Sequence, residues 1–135
     1  MNIYQTKSKP IPGTTYKEVY KKAIVHYKKI CRGTKRKPYI RSIYFSKEKI
    51  FIRLFWIHLH EKMNYRDKTR RLKFFTCGID LIKQSTIHPI SKESISKSEI
   101  LHRFAGKTKD GIVFFVQIKE NKRNKQKHLI SIFPK

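Results

Sequence analysis

The last third of the chain contains three short runs that are rich in β-branched and aromatic residues. They are Glu99–Phe104, Ile112–Lys119 and His128–Phe133. The loop Gly106–Gly111 joins the first two and ends in Asp-Gly, a strong signal for a β-hairpin. The polar, mostly basic segment Glu120–Lys127 is long enough for a second hairpin. These runs predict an antiparallel sheet, which the rest of the chain must cover.

Helical periodicity dominates the region before these runs. A first helix is predicted over Tyr16–Ile30, with Thr14 or Thr15 as its N-cap. A second is predicted over Lys47–Met63, with Ser46 as its N-cap, and a third over Asp67–Lys83. The apolar residues predicted to face the core are Val19, Ala23, Tyr27 and Ile30 in the first helix, Ile50, Leu54 and Ile57 in the second, and Leu72, Phe75, Ile79 and Ile82 in the third.

These patterns predict the α+β class, with N-terminal helices packed on a C-terminal antiparallel β-sheet. We expect one domain over residues 1–135, because a chain of this length buries one core and hardly two. The predicted parts are an irregular lead-in at 1–15, a mainly helical region at 16–84 with a short strand at Tyr39–Phe45, a polar connection at 85–98, and the sheet at 99–134.

The chain is strongly basic. Its 33 Lys and Arg residues against 9 Asp and Glu residues give a net charge of +24 at pH 7. A compact chain with this charge repels itself, and a bound polyanion would relieve that repulsion. We therefore expect a nucleic-acid partner, with a membrane surface or an acidic protein as alternatives. So few carboxylates argue against a dense acidic metal site, and we expect no cofactor.

Cysteine usage and hydropathy bear on the compartment. Cys31 and Cys77 are too few for a disulfide framework and lack metal-binding spacing, so we expect two reduced thiols. The N-terminal residues show no signal-peptide pattern. The longest apolar stretches, Ile50–Ile57 and Ile112–Ile118, are far shorter than a membrane span. These features favour a cytoplasmic protein that does not enter a membrane.

Strand alternation assigns side chains to the two faces of the predicted sheet. In the middle run Ile112, Phe114, Val116 and Ile118 should face the helices, and Ile100 and Phe104 should join them from the first run. The opposite, open face should then hold Val113, Phe115, Gln117 and Lys119, with Glu99 and Arg103 beside the last two. In the last run Leu129, Ser131 and Phe133 alternate with His128, Ile130 and Ile132, and the pattern does not decide which set is buried.

The open face carries the groups that RNA cleavage without metal requires. A base must take the 2′-hydroxyl proton, an acid must protonate the leaving 5′ oxygen, and fixed positive charge must stabilise the phosphate. Glu99 is the candidate base and His128 or His102 the candidate acid, with Arg103 and Lys119 as the phosphate clamp. The alternative is that Glu99 and Arg103 form an ordinary surface ion pair and that His128 merely ends a strand.

Two patterns invite a metal-site interpretation, and geometry argues against both. Asp110 followed by Gln117-Ile118-Lys119 resembles a metal-dependent nuclease motif, but an extended strand separates Asp110 from Gln117 by roughly 23 Å. His58 and His60 point away from each other on a helix, whereas zinc sites on helices use spacings of three or four. His58 and Glu61 have that spacing and could share an ion, but solvated helix surface is the favoured explanation.

The third predicted helix begins with a cluster of cations. These are Arg66, Lys68, Arg70, Arg71 and Lys73. Positive charge is unfavourable at a helix N-terminus, so a bound polyanion would explain their position. The alternative is a solvated helix face. Arg70 and Arg71 are therefore candidate nucleic-acid contacts.

Three segments of the last third resemble a known family. They are EILHRFAGKT (99–108), GIVFFVQIKE (111–120) and KHLISIFP (127–134). With their pattern of Gly-x-Thr, a hydrophobic strand and Lys-x-x-x-Ser-x-x-Pro, they are similar to nuclease-like domains of the barnase–EndoU–colicin E5/D–RelE group, above all its phage and mobile-element members. The resemblance implies helices packed on a C-terminal antiparallel sheet and metal-independent RNA cleavage, often by toxins that a partner restrains. It marks Arg103, Thr108, Lys127 and Ser131 as site candidates.

Charge, strand pattern and resemblance together predict a metal-independent endoribonuclease of the toxin or mobile-element conflict type. RNA is the preferred partner, and an acidic antitoxin or immunity protein is a further expected partner. The predicted catalytic residues are Glu99, Arg103, Lys119 and His128. The predicted substrate-binding residues are Lys107, Thr108, Gln117, Lys127, Ser131, Arg70 and Arg71. The alternative function is non-catalytic RNA or DNA binding in a phage or mobile element.

Overall fold

The computed structural model describes residues 2–62 and 64–135. Within these residues the chain forms four helices and seven strands. The helices are α1 (Tyr16–Arg32), α2 (Arg53–Glu61), α3 (Tyr65–Leu72) and α4 (Phe75–Gln84). The strands are β1 (Tyr4–Gln5), β2 (Tyr39–Ser42), β3 (Glu48–Phe51), β4 (Ile90–Glu93), β5 (Glu99–Lys107), β6 (Val113–Asn121) and β7 (Lys127–Pro134).

The strands of the described residues form one sheet in the order β1-β5-β6-β7-β3-β2, and β4 also pairs with β5. The three long strands β5, β6 and β7 form the antiparallel meander that the alternating runs predict. β1 joins β5 and β3 joins β7, both in parallel orientation. The α+β class is therefore confirmed.

The sheet is not confined to the C-terminal third, and here the prediction was wrong. The predicted lead-in contributes β1, and the predicted connection contributes β4. The mainly helical region contributes β3 and also β2, which begins at Tyr39 as the predicted short strand does but ends at Ser42. Each of these strands has only two or four residues. So short a strand shows no recognisable alternation, and its pairing depends on a partner far away in the sequence.

Helix α1 agrees closely with its prediction. Thr15 has extended backbone angles, and its hydroxyl accepts a hydrogen bond from the backbone N–H of Glu18, as an N-cap does. Val19 and Ala23 are fully buried on the predicted stripe. The helix ends at Arg32 and is capped by Gly33, whose N–H donates to the carbonyl of Lys29. This helix packs its apolar stripe on the core and leaves its lysines in solvent.

The second helix was predicted to begin at Lys47, well before the observed start of α2 at Arg53. Ser46 and Lys47 have positive φ angles of 56° and 66°, and they form a turn rather than a helix start. β3 follows, with Ile50 fully buried, and α2 begins only at Arg53. This later start changes which side chains reach the core: α2 buries Phe55 and Leu59 instead of Leu54 and Ile57. The predicted end of this helix, Met63, lies outside the described residues.

The predicted third helix is two helices. α3 ends at Leu72 and α4 begins at Phe75, with a turn at Lys73 and Phe74 between them. Asn64 caps α3, since its side-chain oxygen accepts from the N–H of Asp67. The apolar spacing of three and four residues continues across the break. It therefore predicts the buried residues Leu72 and Phe75 correctly but not the change of direction.

The inner face of the central strands holds the core, as the alternation predicts. Phe114, Val116 and Ile118 are fully buried, and Phe104 is 3% exposed. Ile112 was predicted to join them, but it precedes β6 and is 41% exposed. The four helices supply the opposing apolar surface, with Phe55, Phe75 and Leu81 among its largest members.

Strand β7 contains a β-bulge that explains why its faces could not be assigned. Opposite β6, Ile118 pairs with Leu129 while Gln117 pairs with Ser131, which leaves Ile130 as an extra residue. An extra residue shifts the alternation by one position. Leu129 and Ile132 are consequently both buried, although they belong to different sets of the sequence pattern.

Replacing Gly106 with alanine should lower the free energy of unfolding by about 2 kcal/mol. A Cβ at this position would lie 2.5 Å from Cζ of Phe114 and 2.8 Å from Cδ1 of Leu81, and both residues are tightly packed. Gly33→Ala is the control, because its Cβ would meet only backbone oxygens at 3.6 and 3.7 Å. Urea unfolding followed by circular dichroism measures both, and equal losses would contradict the clash.

Candidate nucleic-acid interface

The outer face of the central strands brings several of the predicted residues together. Arg103, Gln117 and Ser131 lie directly opposite one another on β5, β6 and β7. Directly paired residues share one face of a sheet. The adjacent row consists of Ala105, Phe115 and Phe133. An arginine, an amide and a hydroxyl thus border two aromatic rings whose centroids are 5.6 Å apart.

Arg103 is held over these rings. With the Gln117 amide oriented so that its oxygen faces the guanidinium, that oxygen accepts hydrogen bonds from Nε at 3.0 Å and Nη2 at 2.7 Å. The guanidinium carbon lies 5.7 Å from the ring centroid of Phe115 and 5.8 Å from that of Phe133. Among the described residues, no carboxylate lies within ion-pair distance of Arg103. Its remaining N–H donors are available to an anion.

A second arginine reaches one of these rings, that of Phe133, from a helix. Arg71 of α3 donates from Nη1 to Oγ of Ser131 at 3.2 Å, and its guanidinium carbon lies 5.2 Å from the ring centroid of Phe133. Its Nε donates to Asp67, which fixes the side chain in this direction. We call Arg71, Arg103, Phe115, Gln117, Ser131 and Phe133 the arginine–phenylalanine platform.

Arg70 and the other cations of α3 do not join the platform. Arg70 is exposed and approaches Asp67 at 3.5 Å. Lys68 is only 8% exposed, and its ammonium lies 4.5 Å from the ring centroid of Tyr65. Asn64 accepts a hydrogen bond from a backbone N–H at the start of α3, and Asp67 places a negative charge in its first turn. A bound polyanion is therefore not needed to explain the cations of this helix. Arg71 is the member of this cluster that the structure brings to the outer face.

Three predicted site residues lie away from the outer face. His102 is on the inner face, 8% exposed, and contacts Glu120 at 2.8 Å. Thr108 is fully buried in the β5–β6 turn, where its hydroxyl accepts from the N–H of Ile112. Lys127 is 4% exposed and paired with Glu120 and a further glutamate. Their side chains cannot reach a ligand on the platform, and we remove all three from the candidate site.

The remaining predicted residues lie along the outer face. Lys119 pairs across the sheet with His128, and its ammonium lies 3.3 Å from the carboxylate of Glu99. Glu99 therefore forms its ion pair with Lys119 and not with Arg103. Lys107 is exposed at the far end of β5, directly opposite Val113.

The surroundings of His128 do not suit its predicted role as a general acid. Burial, reinforced by the positive charges of Lys119 and Lys37, lowers the pKa of His128 below its usual 6.5. An imidazole with a lowered pKa is mostly neutral near pH 7, so it accepts a proton rather than donating one. The predicted general acid would therefore have to act as a base.

The lowered pKa of His128 makes its contribution to stability depend on pH, and an NMR titration measures the pKa directly. In the pH range between the lowered folded value and 6.5, the unfolded chain binds more protons than the folded chain. The contribution of His128 to stability is therefore present above pH 6.5 and is lost as the pH falls. We expect an NMR titration midpoint below 6.5 that rises in Lys119→Gln, though not fully, because burial remains. A midpoint unchanged by Lys119→Gln would contradict the charge contribution.

Sequence reasoning missed the two phenylalanines of the platform. Alternation placed Phe115 on the open face beside Gln117, and an exposed aromatic ring in that position was a usable signal. The face on which Phe133 lies was undecided, because the bulge at Ile130 shifts the alternation of side chains along β7. A groove of about 430 Å³ between α2 and β7 opens beside Arg71 and Ser131, and no sequence pattern indicates it.

The described ranges, 2–62 and 64–135, contain no group of three or more His, Cys, Asp or Glu residues placed to hold a metal ion. None of their helices is long and apolar enough to cross a membrane. Both cysteines are free thiols, and burial raises the pKa of Cys77 to about 11.

Comparisons of the chain with models of protein families, with curated proteins and with solved structures found no match. Evidence for a function therefore comes from the geometry of the outer face.

Proposed function

We propose that this protein binds single-stranded nucleic acid, with RNA preferred, through the arginine–phenylalanine platform. The observation that carries the proposal is the convergence of two arginines on one ring, since Arg71 and Arg103 both lie within 6 Å of the centroid of Phe133. Proteins bind single strands by stacking bases on aromatic rings and guanidinium planes while cations neutralise the phosphates.

The surroundings of the platform support this function. Arg103 keeps N–H donors that its two hydrogen bonds to Gln117 do not use. Lys119 lies on the outer face two residues along β6 from Gln117 and adds a further positive charge. Gln117 and Ser131 offer amide and hydroxyl groups beside the rings, suited to hydrogen bonds with base edges and 2′-hydroxyls. The net charge of +24 adds a strong, salt-dependent attraction to any phosphate chain.

Substitution of Arg103 tests the proposal. We expect a fluorescein-labelled oligouridylate of about twelve nucleotides to bind the wild type in EDTA, and Arg103→Ala to bind it about tenfold more weakly. Arg123→Ala is the matched control, because Arg123 is an exposed arginine in the β6–β7 turn, away from the platform. Fluorescence anisotropy measures the affinities. Equal losses in both variants would mean diffuse charge attraction and would rule out a platform site.

Metal-independent RNA cleavage is the second candidate function, favoured by the neutral imidazole of His128 beside Lys119 on the same face. In this scheme His128 takes the 2′-hydroxyl proton, the 2′ oxygen forms a bond to phosphorus, and the bond to the 5′ oxygen breaks. Water returns a proton to the leaving oxygen. Lys119 and Arg103 stabilise the negative charge that develops on the phosphate. Glu99 then positions Lys119 through their ion pair and is not the base.

A cleavage assay distinguishes RNA cleavage from binding without cleavage. If the protein cleaves RNA, discrete fragments of total tRNA should appear in EDTA with the wild type and be absent with His128→Gln, while oligouridylate affinity is retained. RNA that stays intact but shifts on a native gel would reject cleavage of these substrates and leave binding as the function. Fragments that persist in His128→Gln would exclude this residue as the base.

A further inference from the structure

A large groove lies at the edge of the sheet, away from the arginine–phenylalanine platform. It has a volume of about 910 Å³ and runs along β2, which is the last strand of the sheet. Residues of α4, including Ile79, and of α1, including Ile30, form its apolar floor. Lys7 and Ser8, which follow β1, form the opposite wall. The two ends of the sheet therefore border the same groove.

Five cations line the groove. They are Lys7, Lys29, Arg41, Lys47 and Lys83. All five are exposed, and among the described residues none of them forms an ion pair. The single carboxylate in the lining, Asp80, is already bound by the hydroxyl of Tyr4 and the backbone N–H of Lys7. The groove is thus complementary to a negatively charged ligand.

The wall formed by β2 offers main-chain hydrogen-bonding groups. The N–H of Ile52 donates to the carbonyl of Pro38, which marks this pair as hydrogen-bonded in the antiparallel ladder between β2 and β3. Bonded and non-bonded pairs alternate along such a ladder. The N–H and C=O groups of Tyr39 and Arg41 therefore point away from β3 and toward the groove, as at the edge of any sheet.

We propose that this groove binds an acidic, extended segment of a partner polypeptide, which adds to β2 as a further strand. The added backbone would pair with Tyr39 and Arg41, and its acidic side chains would meet the five lining cations. Its alternate apolar side chains would rest on the isoleucines of the floor. Strand addition of this kind obtains affinity from main-chain hydrogen bonds and selectivity from side-chain pockets.

A phosphate chain fits the same groove less well. Tyr39 and Arg41 present carbonyl oxygens as well as N–H groups at the strand edge, and carbonyl oxygens repel phosphates. An extended peptide satisfies both kinds of group, because each of its residues carries a donor and an acceptor. The charge alone would suit either ligand, but the strand edge favours a polypeptide.

Amide hydrogen exchange on the full-length protein tests the proposal. The probe is a peptide of about seven residues that alternates glutamate with valine, and the control is the same peptide N-methylated at every second residue. We expect the glutamate–valine peptide to slow exchange at the N–H groups of Tyr39 and Arg41 at least tenfold, and the methylated peptide to leave both unchanged. Equal protection by both peptides, or none by the first, would overturn strand addition.

Charge reversal tests the groove itself. Lys29→Glu with Lys83→Glu should weaken binding of the glutamate–valine peptide at least tenfold. The matched control, Lys17→Glu with Lys21→Glu, changes two exposed lysines of α1 outside the groove and should alter affinity less than twofold. Equal losses in both pairs would overturn the assignment. Protection of Tyr39 and Arg41 by an oligouridylate but not by the peptide would assign the groove to nucleic acid instead.

Discussion

Replacing Lys127 with methionine should lower the free energy of unfolding by about 3 kcal/mol, the largest loss of stability that we expect from a single polar substitution. Lys127 is 4% exposed, and its ammonium contacts Glu48, lies 4.0 Å from Glu120 and donates to the carbonyl of Lys125 at 3.3 Å. Methionine keeps most of the apolar stem but removes the charge. The half-exposed Glu48 remains solvated, whereas Glu120, whose side chain is 13% exposed, is left with His102 as its remaining partner.

The control for this substitution is an exposed ion pair of the same type. Lys122 lies 2.9 Å from Glu93, and both side chains are substantially solvated. Lys122→Met should therefore change the free energy of unfolding by about 0.5 kcal/mol or less. Urea unfolding at neutral pH, followed by circular dichroism, measures both variants. A loss for Lys127→Met as small as that for Lys122→Met would show that the buried ammonium contributes no more than a surface charge.

Lys127 also illustrates what the sequence could and could not predict. Alternation assigned the faces of β6 correctly, because that strand is regular from Val113 to Ile118. The same rule could not decide which side chains of β7 are buried. The bulge at Ile130 reverses the alternation of inward and outward side chains between the two halves of that strand. A bulge of this kind has no glycine or proline to mark it, so the inward position of Lys127 follows only from the pairing with β6.

The predicted helix boundaries were wrong for a related reason. Ser46 and Lys47 adopt left-handed backbone angles that usually require glycine or asparagine, so the turn before β3 carries no local signal. The break between α3 and α4 likewise contains neither glycine nor proline. In both places packing against distant strands overrides local preference. Fold class and buried residues were therefore more predictable than the ends of elements.

The candidate site was predictable where it lies on adjacent strands. Arg103 and Gln117 were expected to be neighbours from alternation and the hairpin, and they are directly paired. The contact between Arg71 and Ser131 joins residues 60 positions apart, on a helix and on a bulged strand. No periodic pattern connects such residues, so the platform as a unit is a product of tertiary structure.

Replacing Phe133 with leucine should weaken the binding of an oligouridylate by about 1–3 kcal/mol without changing how affinity depends on salt. Phe133 is the ring that Arg71 and Arg103 share, and leucine keeps apolar bulk while removing the flat surface on which a base stacks. Phe51→Leu is the matched control, because Phe51 lies on the same face beside His128 and outside the platform. We expect that control to bind within twofold of wild type. Equal losses would mean that stacking is spread over the whole face.

The salt dependence separates stacking from charge neutralisation at the platform. Each phosphate contact to a single strand contributes about 0.7 to the slope of log affinity against log salt concentration. Arg103→Ala removes one such cation and should lower the slope by about that amount, whereas Phe133→Leu leaves every cation in place. Anisotropy titrations at several salt concentrations measure both slopes. If Phe133→Leu lowers the slope as Arg103→Ala does, the ring acts only by holding the two arginines in place, and bases do not stack on it. An unchanged slope with weaker binding would instead support direct stacking, and with it the assignment of single-stranded nucleic acid as the ligand of this face.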